Sequence, residues 1–181
     1  MRKDGAANRE RILLAAEQVF GAAGAAASTE EIARQAEVGV ATVFRHFPTK
    51  QDLIEATAAR YLEKLAHQVR HLADETDPGQ AFAALLHTLV STGPTKITLL
   101  RLLPTDGHGP TEAVTLARKG FHDAVQVVFE RAHTAGAVRP DTIIDDIYTL
   151  ARALALATTP GTEAATNRAV EIVLNGLGVH R

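Results

Sequence analysis

The chain has 181 residues, 46% of them hydrophobic but only 4% aromatic, with a formal net charge of −2 and no cysteine. The missing cysteine excludes disulfides, thiolate metal sites and a cysteine nucleophile. No apolar run approaches the roughly 18 residues of a membrane span, and the near-neutral charge excludes a bulk nucleic-acid coat. A core poor in aromatics must be built from alanine, leucine, valine and isoleucine. Alanine and leucine are strong helix formers, so the chain reads as all-α.

Met1 to Ala7 reads as a mobile arm whose Arg2 and Lys3 either reach phosphate or stay a polar tail. Asn8 is placed to cap a first helix running to Ala23, with Ile12, Ala16, Val19 and Phe20 at helical spacing and Gly21 and Gly24 at its end. Glu17 and Gln18 interrupt the apolar segment, which favours a folded helix over a signal peptide.

Ser28 to Leu53 is the most informative stretch. Ser28 and Glu31 have the spacing of a capping box, and Ile32, Ala33 and Ala36 follow as an apolar face. Glu37-Val38-Gly39 breaks that helix, with Gly39 the residue free to take unusual backbone angles. A second short helix covers Val40 to His46 and stops before Pro48. Thr49 and Asp52 form another capping box, opening the next helix. Small residues on the second helix, Val40 and Ala41, allow close approach to a groove and can meet thymine methyls. Thr42, His46 and Lys50 can donate to phosphates. This is the layout of a helix-turn-helix, or alternatively of an ordinary helical hairpin with a polar outer face.

Thr49 to Ala73 reads as one long helix with a stripe of Leu53, Thr57, Tyr61, Leu65, Val69 and Leu72. It is either a lever between two domains or a plain connection. His67 and His71 share its solvated face at metal-ligand spacing, but no third ligand is near in sequence. Asp74 to Gly79, acidic and ending in Pro-Gly, reads as a turn and boundary. Helices are then expected over Gln80–Val90, Lys96–Leu103 with Arg101 embedded, Thr111–Ala135, Asp141–Thr158 and Thr162–Leu177, with a glycine-rich loop around His108.

No catalytic or metal constellation emerges. Glu130-x-x-His133 is a single copy of an element that a carboxylate-bridged di-metal bundle needs twice. There is neither a phosphate-cradling loop with lysine nor a His-Glu-x-x-His motif, so no enzyme activity and no cofactor are expected. A helical domain rich in alanine and leucine can instead hold a largely apolar small molecule. Its polar candidates are His87, Arg101, His122 and Tyr148, with Phe82, Phe121 and Phe129 as walls. Ile147, Ala151 and Leu154 on one late helix, and Ala165, Ala169, Ile172, Val173 and Gly176 on the other, suit a helix–helix interface between two copies or a tight internal core.

The run Ile32-Ala33 … Ala36-x-Val38 … Thr42-Val43-Phe44-Arg45-His46-Phe47-Pro48-x-Lys50-x-x-Leu53 resembles the TetR family of bacterial transcriptional regulators over about the first sixty residues. The resemblance implies an N-terminal three-helix helix-turn-helix domain over residues 1–66, including the start of a linker helix. A helical effector-binding and dimerisation domain would follow over residues 67–181. It further implies a cytoplasmic, homodimeric repressor that leaves a double-stranded DNA operator when a small effector binds. Thr42 would touch phosphate, His46 and Lys50 would clamp the backbone, and the helix with Val40 and Ala41 would enter the major groove. The expected DNA-binding set is Ser28, Thr29, Val40, Ala41, Thr42, Phe44, Arg45, His46 and Lys50. The last two helices would pair with their twins in a dimer. Three residues depart from the family pattern: Glu37 where glycine is frequent, Gly39 where a serine cap is common, and Phe44 where tyrosine is typical. These departures motivate an alternative, a helical ligand-binding bundle with weak or lost DNA binding.

Overall fold

The computed structural model describes residues 2–104, 109–159 and 161–178, with side chains from residue 5 onward. The fold is all-α. The helices are α1 (Arg2–Ala23), α2 (Thr29–Gln35), α3 (Val40–His46), α4 (Lys50–Leu72), α5 (Pro78–Ser91), α6 (Gly93–Arg101), α7 (Glu112–Thr134), α8 (Ile144–Ala157) and α9 (Glu163–Gly176). A single 3-10 turn, Gly24–Ala26, follows α1. The residues group into two compact units. One holds the chain up to Glu63 together with Thr95–Arg118; the other holds Lys64–Pro94 and Lys119–Arg181.

In the first unit, Ile12, Leu13, Ala16, Val19 and Phe20 of α1 are buried with Ile32 and Ala33 of α2, Val43 of α3, and Leu53, Ala58 and Tyr61 of α4. Thr57, also buried, satisfies its hydroxyl by donating 2.6 Å to the Leu53 carbonyl one turn back. Arg60 ties α4 to α1, donating to Glu10 and, at 3.0 Å, to Glu17. α6 approaches α1 closely: a Cβ on Gly21 would lie 3.3 Å from the Thr95 methyl.

The second unit packs α5 against α8 and α9. Phe82, Leu85, Leu86 and Leu89 of α5 are buried, as are Val125, Val128 and Ala132 of α7, Ile147 and Ala151 of α8, and Val170 and Leu174 of α9. Gly93 permits the tightest approach, since a Cβ there would meet Ala155 Cβ at 2.4 Å. Arg131 donates to the carbonyls of Ala73 and Glu75, satisfying acceptors just past the end of α4.

Several boundaries differ from the sequence reading. α1 begins at Arg2, so residues 2–7 are helical rather than an arm, and Asn8 is an interior residue bonded to Arg11. Ala6 and Ala7 favour helix, and Gly5 alone does not break it. Asp77-Pro78 is a cap followed by a first-turn proline, not a turn: the Asp77 carboxylate accepts from Gly79 at 2.8 Å and Gln80 at 3.3 Å. α6 starts at Gly93, with Pro94 in its first turn. α8 starts at Ile144, where Asp146 reaches back to the Ile143 N–H at 3.0 Å. The loop expected around His108 lies outside the described residues at 105–108. No described helix is long and apolar enough to cross a membrane.

Candidate nucleic-acid interface

α2 is capped by Ser28, whose hydroxyl accepts from the Glu31 N–H at 3.1 Å. Only this half of the expected capping box forms. The Glu31 carboxylate instead takes hydrogen bonds from Arg34 and Gln35. Those bonds, Arg34's first, hold its carboxyl down at about 2. The reciprocal box at Thr49 and Asp52 does form, with Thr49 N–H to the carboxylate at 2.9 Å and Asp52 N–H to the Thr49 hydroxyl at 3.1 Å.

The turn between α2 and α3 places its unusual backbone on Glu37, at φ 53°, and not on Gly39, at φ −72°. Left-handed angles cost a side-chain-bearing residue energy, so glutamate strains this turn. Val38 then bonds back to the Ala33 carbonyl at 3.0 Å, closing the end of α2. Gly39 occupies the α3 cap without a side-chain bond, as its lack of a hydroxyl requires.

α3 divides sharply by face. Val43 is buried, and so is Phe47 just beyond the helix. Ala41, Phe44 and Arg45 are exposed, while Val40, Thr42 and His46 are partly exposed. Six of the nine expected DNA-binding residues therefore share one short helix. Ser28 is exposed beside α2, whereas Thr29 is buried and faces the core rather than a partner. Lys50 is half-buried and donates to the Ala25 carbonyl at 3.1 Å, tying the start of α4 to the 3-10 turn.

Arg9 is a residue the sequence reading left without a role. Its guanidinium lies over the Phe47 ring at 5.2 Å, a cation–π contact beside the end of α3. The chain's only visible signal was a cation one turn before the Ile12 face. Charge balance here is explained by pairing. Glu31 is bonded by Arg34, Glu10 and Glu17 by Arg60, and Asp52 by the Thr49 cap. These four acids are held by local partners, while Arg9 and Arg45 remain exposed.

In the second unit, the expected ligand residues do not form one cluster. Phe82 and Phe121 are buried, and Phe82 packs on Phe129 with ring centres 6.3 Å apart. His122 Nδ1 lies 3.1 Å from the Tyr148 hydroxyl with the rings stacked, and burial pushes that phenol up to about 12. His87 Nε2 lies 3.1 Å from the Glu171 carboxylate and lines a groove. Arg101 is exposed at the end of α6, in the other unit, and is not embedded. Of the expected dimer residues, Ile147 and Ala151 are buried within the chain, Leu154, Ala169 and Val173 are half-buried, and Ala165, Ile172 and Gly176 are exposed. Ile147 and Ala151 sit on the inner face of α8, the helix that packs against α5, so they are withdrawn from a partner.

Comparison with known proteins gives a concordant picture. Residues 12–57 match the family model described as bacterial regulatory proteins, tetR family. Residues 77–179 match the model of the SbtR-like transcriptional regulator C-terminal domain. The structure is similar to a TetR transcription regulatory protein from Mycobacterium vanbaalenii, with 31% identity, 97% of this chain and 98% of that one covered, and a TM-score of 0.75. It is also similar to a TetR transcriptional regulator from Streptomyces coelicolor, with 30% identity, 93% and 97% coverage, and a TM-score of 0.72. A nucleoid occlusion factor from Vibrio campbellii, SlmA, is 29% identical over 129 residues, which are 70% of this chain and 63% of that protein's length.

Proposed function

The chain belongs to the TetR family of bacterial regulatory proteins, as a transcriptional regulator with a DNA-binding helix-turn-helix and a C-terminal helical domain, and we propose that it is a repressor released from its operator by a small molecule. The family's parts are those of a non-enzymatic transcription factor. The observation that carries the reading is the outward face of α3, where Ala41, Phe44 and Arg45 are exposed beside Val40, Thr42 and His46. Val40 and Ala41 are small enough to admit the helix to a major groove. Thr42, His46 and Lys50 are suited to phosphate.

Residues 1–66 are assigned to DNA binding, and residues 67–181 to effector binding and dimerisation. A homodimer in the bacterial cytoplasm would set two copies of α3 about one helical turn of DNA apart. An effector that binds better to a different dimer geometry shifts the population and lowers operator affinity. The alternative, a helical bundle with weakened DNA binding, draws on Glu37's strained turn and the uncapped start of α3. Operator selection with variants at Val40 and Ala41 separates the two. Replacing either residue should change which sequence is preferred, while overall non-specific affinity stays within a few-fold. An unchanged preference would count against α3 as the reading helix.

A further inference from the structure

The groove lined by His87 is unusual in its hydrogen-bond chemistry. It has a volume of about 440 Å³ and is bordered by the end of α5, the end of α8 and the start of α9. A hydroxyl has one proton to donate. Thr88 gives its proton to the Ala84 carbonyl at 2.8 Å, and Ser91 gives its proton to the Thr88 carbonyl at 3.3 Å. Thr158 gives its proton to the Leu154 carbonyl at 3.0 Å. The Thr158 and Thr166 hydroxyls are 3.2 Å apart. With Thr158's proton already placed, Thr166 must be the donor of that pair. Thr88, Thr158 and Thr166 therefore present lone pairs to the groove, while exposed Ser91, held only at 3.3 Å, is able to turn its proton to a ligand.

The remaining polar groups lean the same way. The Glu163 carboxylate accepts one bond, from the Gly161 N–H at 3.2 Å, and has further acceptor capacity. His87 Nε2 faces the Glu171 carboxylate at 3.1 Å, so its N–H is directed there. Asn167 brings donor capacity, as does the uncapped first turn of α9. Val90 and Val170, both buried, supply apolar lining. A site rich in acceptors, with one carboxylate and an apolar wall, is complementary to a short apolar stem ending in a positively charged donor. An anionic ligand would meet Glu163 and three lone-pair-bearing threonine hydroxyls.

We propose that this groove is a binding site for a small aliphatic amine in its ammonium form. The assignment names a chemical class for the effector and rests on the regulatory reading only for its consequence, not for binding. It sharpens the expectation of a largely apolar ligand: apolar stem, cationic head.

The test uses the full chain and three probes with one stem: n-hexylamine, 1-hexanol and hexanoate. Each is titrated while backbone amide resonances are followed. The amine should shift residues 87–91 and 163–170 saturably, and bind about 10-fold or more tightly than the alcohol or the acid, as loss of a charge-assisted bond implies. Glu163→Gln should weaken the amine by about 10-fold while the alcohol is unaffected. Thr166→Val should also weaken it, and Thr166→Ser should largely retain binding, because serine keeps the hydroxyl that valine lacks. The thermal unfolding midpoint of each variant confirms that it is folded. Equal binding of hexanoate or hexanol, amine binding unmoved by Glu163→Gln, or no saturable amine binding would each overturn the proposal. A parallel gel shift on operator DNA reads the regulatory step separately, so loss of DNA binding and loss of amine binding are distinct results.

Discussion

Glu37 sits at φ 53° with its carboxylate 3.9 Å from Arg11, in a turn where glycine would be unstrained. Left-handed backbone costs an L-residue roughly 1–2 kcal/mol, whereas an exposed ion pair at that distance is worth about 0–1 kcal/mol. Backbone strain outweighs the pair. Glu37→Gly should therefore stabilise the protein slightly, by a few tenths of a kcal/mol and at most about 1 kcal/mol, after the lost ion pair and glycine's extra chain entropy are allowed for. A higher urea midpoint at unchanged slope would show it; a lower midpoint would contradict the strain argument. Lys50 presents a second choice between roles at one residue, because its ammonium already holds the Ala25 carbonyl. If Lys50 also neutralises a phosphate, Lys50→Ala should weaken binding to all sequences and lower the salt slope by about 1. A loss of affinity with an unchanged slope would make it a strut only. Neither feature is fully readable from sequence: glycine's freedom points to Gly39 for the left-handed angle that Glu37 takes, and the lysine's carbonyl partner is 25 residues away in the chain.

At the scale of elements, α1 and α4 are joined by Arg60's bonds to Glu10 and Glu17. The Arg60 hydrogen bonds hold the Glu10 carboxyl below its ordinary 4.5, against the opposite pull of burial. A depressed carboxyl contributes stability that is present above the unfolded value and is lost as pH falls through the folded one. Stability should thus decline below about pH 4.5, and Arg60→Ala should flatten that decline without abolishing it, since Glu31 still titrates at about 2. The alkaline side has the opposite sign. Burial, aided by the nearby carboxylates of Glu17 and Asp145 respectively, pushes the Tyr61 and Tyr148 phenols up to about 12, so stability present below pH 10 should fall between pH 10 and 12. Equilibrium unfolding across pH checks both limbs. Helix faces were legible because 3.6-residue periodicity places Ile12, Ala16, Val19 and Phe20 together, and all four are buried. Starts were less legible. Asn8 is a good cap by residue type but lies inside α1, and Pro78, which signals a turn by type, occupies the first turn of α5. Local preference names several possible starts, and packing selects among them.

For the whole molecule, a dimer requires an apolar face that the chain itself leaves uncovered. Ile172 of α9 and Leu156 of α8 are 71% and 51% exposed, while Ile147 is fully buried. Sequence spacing could not separate these residues, because both faces of α8 and α9 carry small and aliphatic side chains. Ile172→Glu should leave stability within about 0.5 kcal/mol yet shift the sedimenting species from dimer to monomer. Ile147→Ala should instead cost about 2–5 kcal/mol of stability and leave the association state unchanged. A dimer that survives Ile172→Glu would move the interface elsewhere. The helix-turn-helix was the most legible part of the candidate site, because residue type and spacing are local there. The proposed amine groove is the least legible, since its hydroxyls come from three separated helices and only their bonds in the fold reveal what is left for a ligand.

DNA recognition is assigned to α3, whose outward face carries Ala41, Phe44 and Arg45. The direct measurement is fluorescence anisotropy of labelled duplexes from the DNA flanking the gene, titrated at several salt concentrations with the parent chain and with Thr42→Ala/His46→Ala. Expected are saturable binding of an even number of chains per site, affinity falling linearly with salt on logarithmic axes, and a shallower salt slope with weaker binding in the variant. Absence of binding to every flanking fragment at low salt, or a variant that binds as tightly with the same slope, would contradict it.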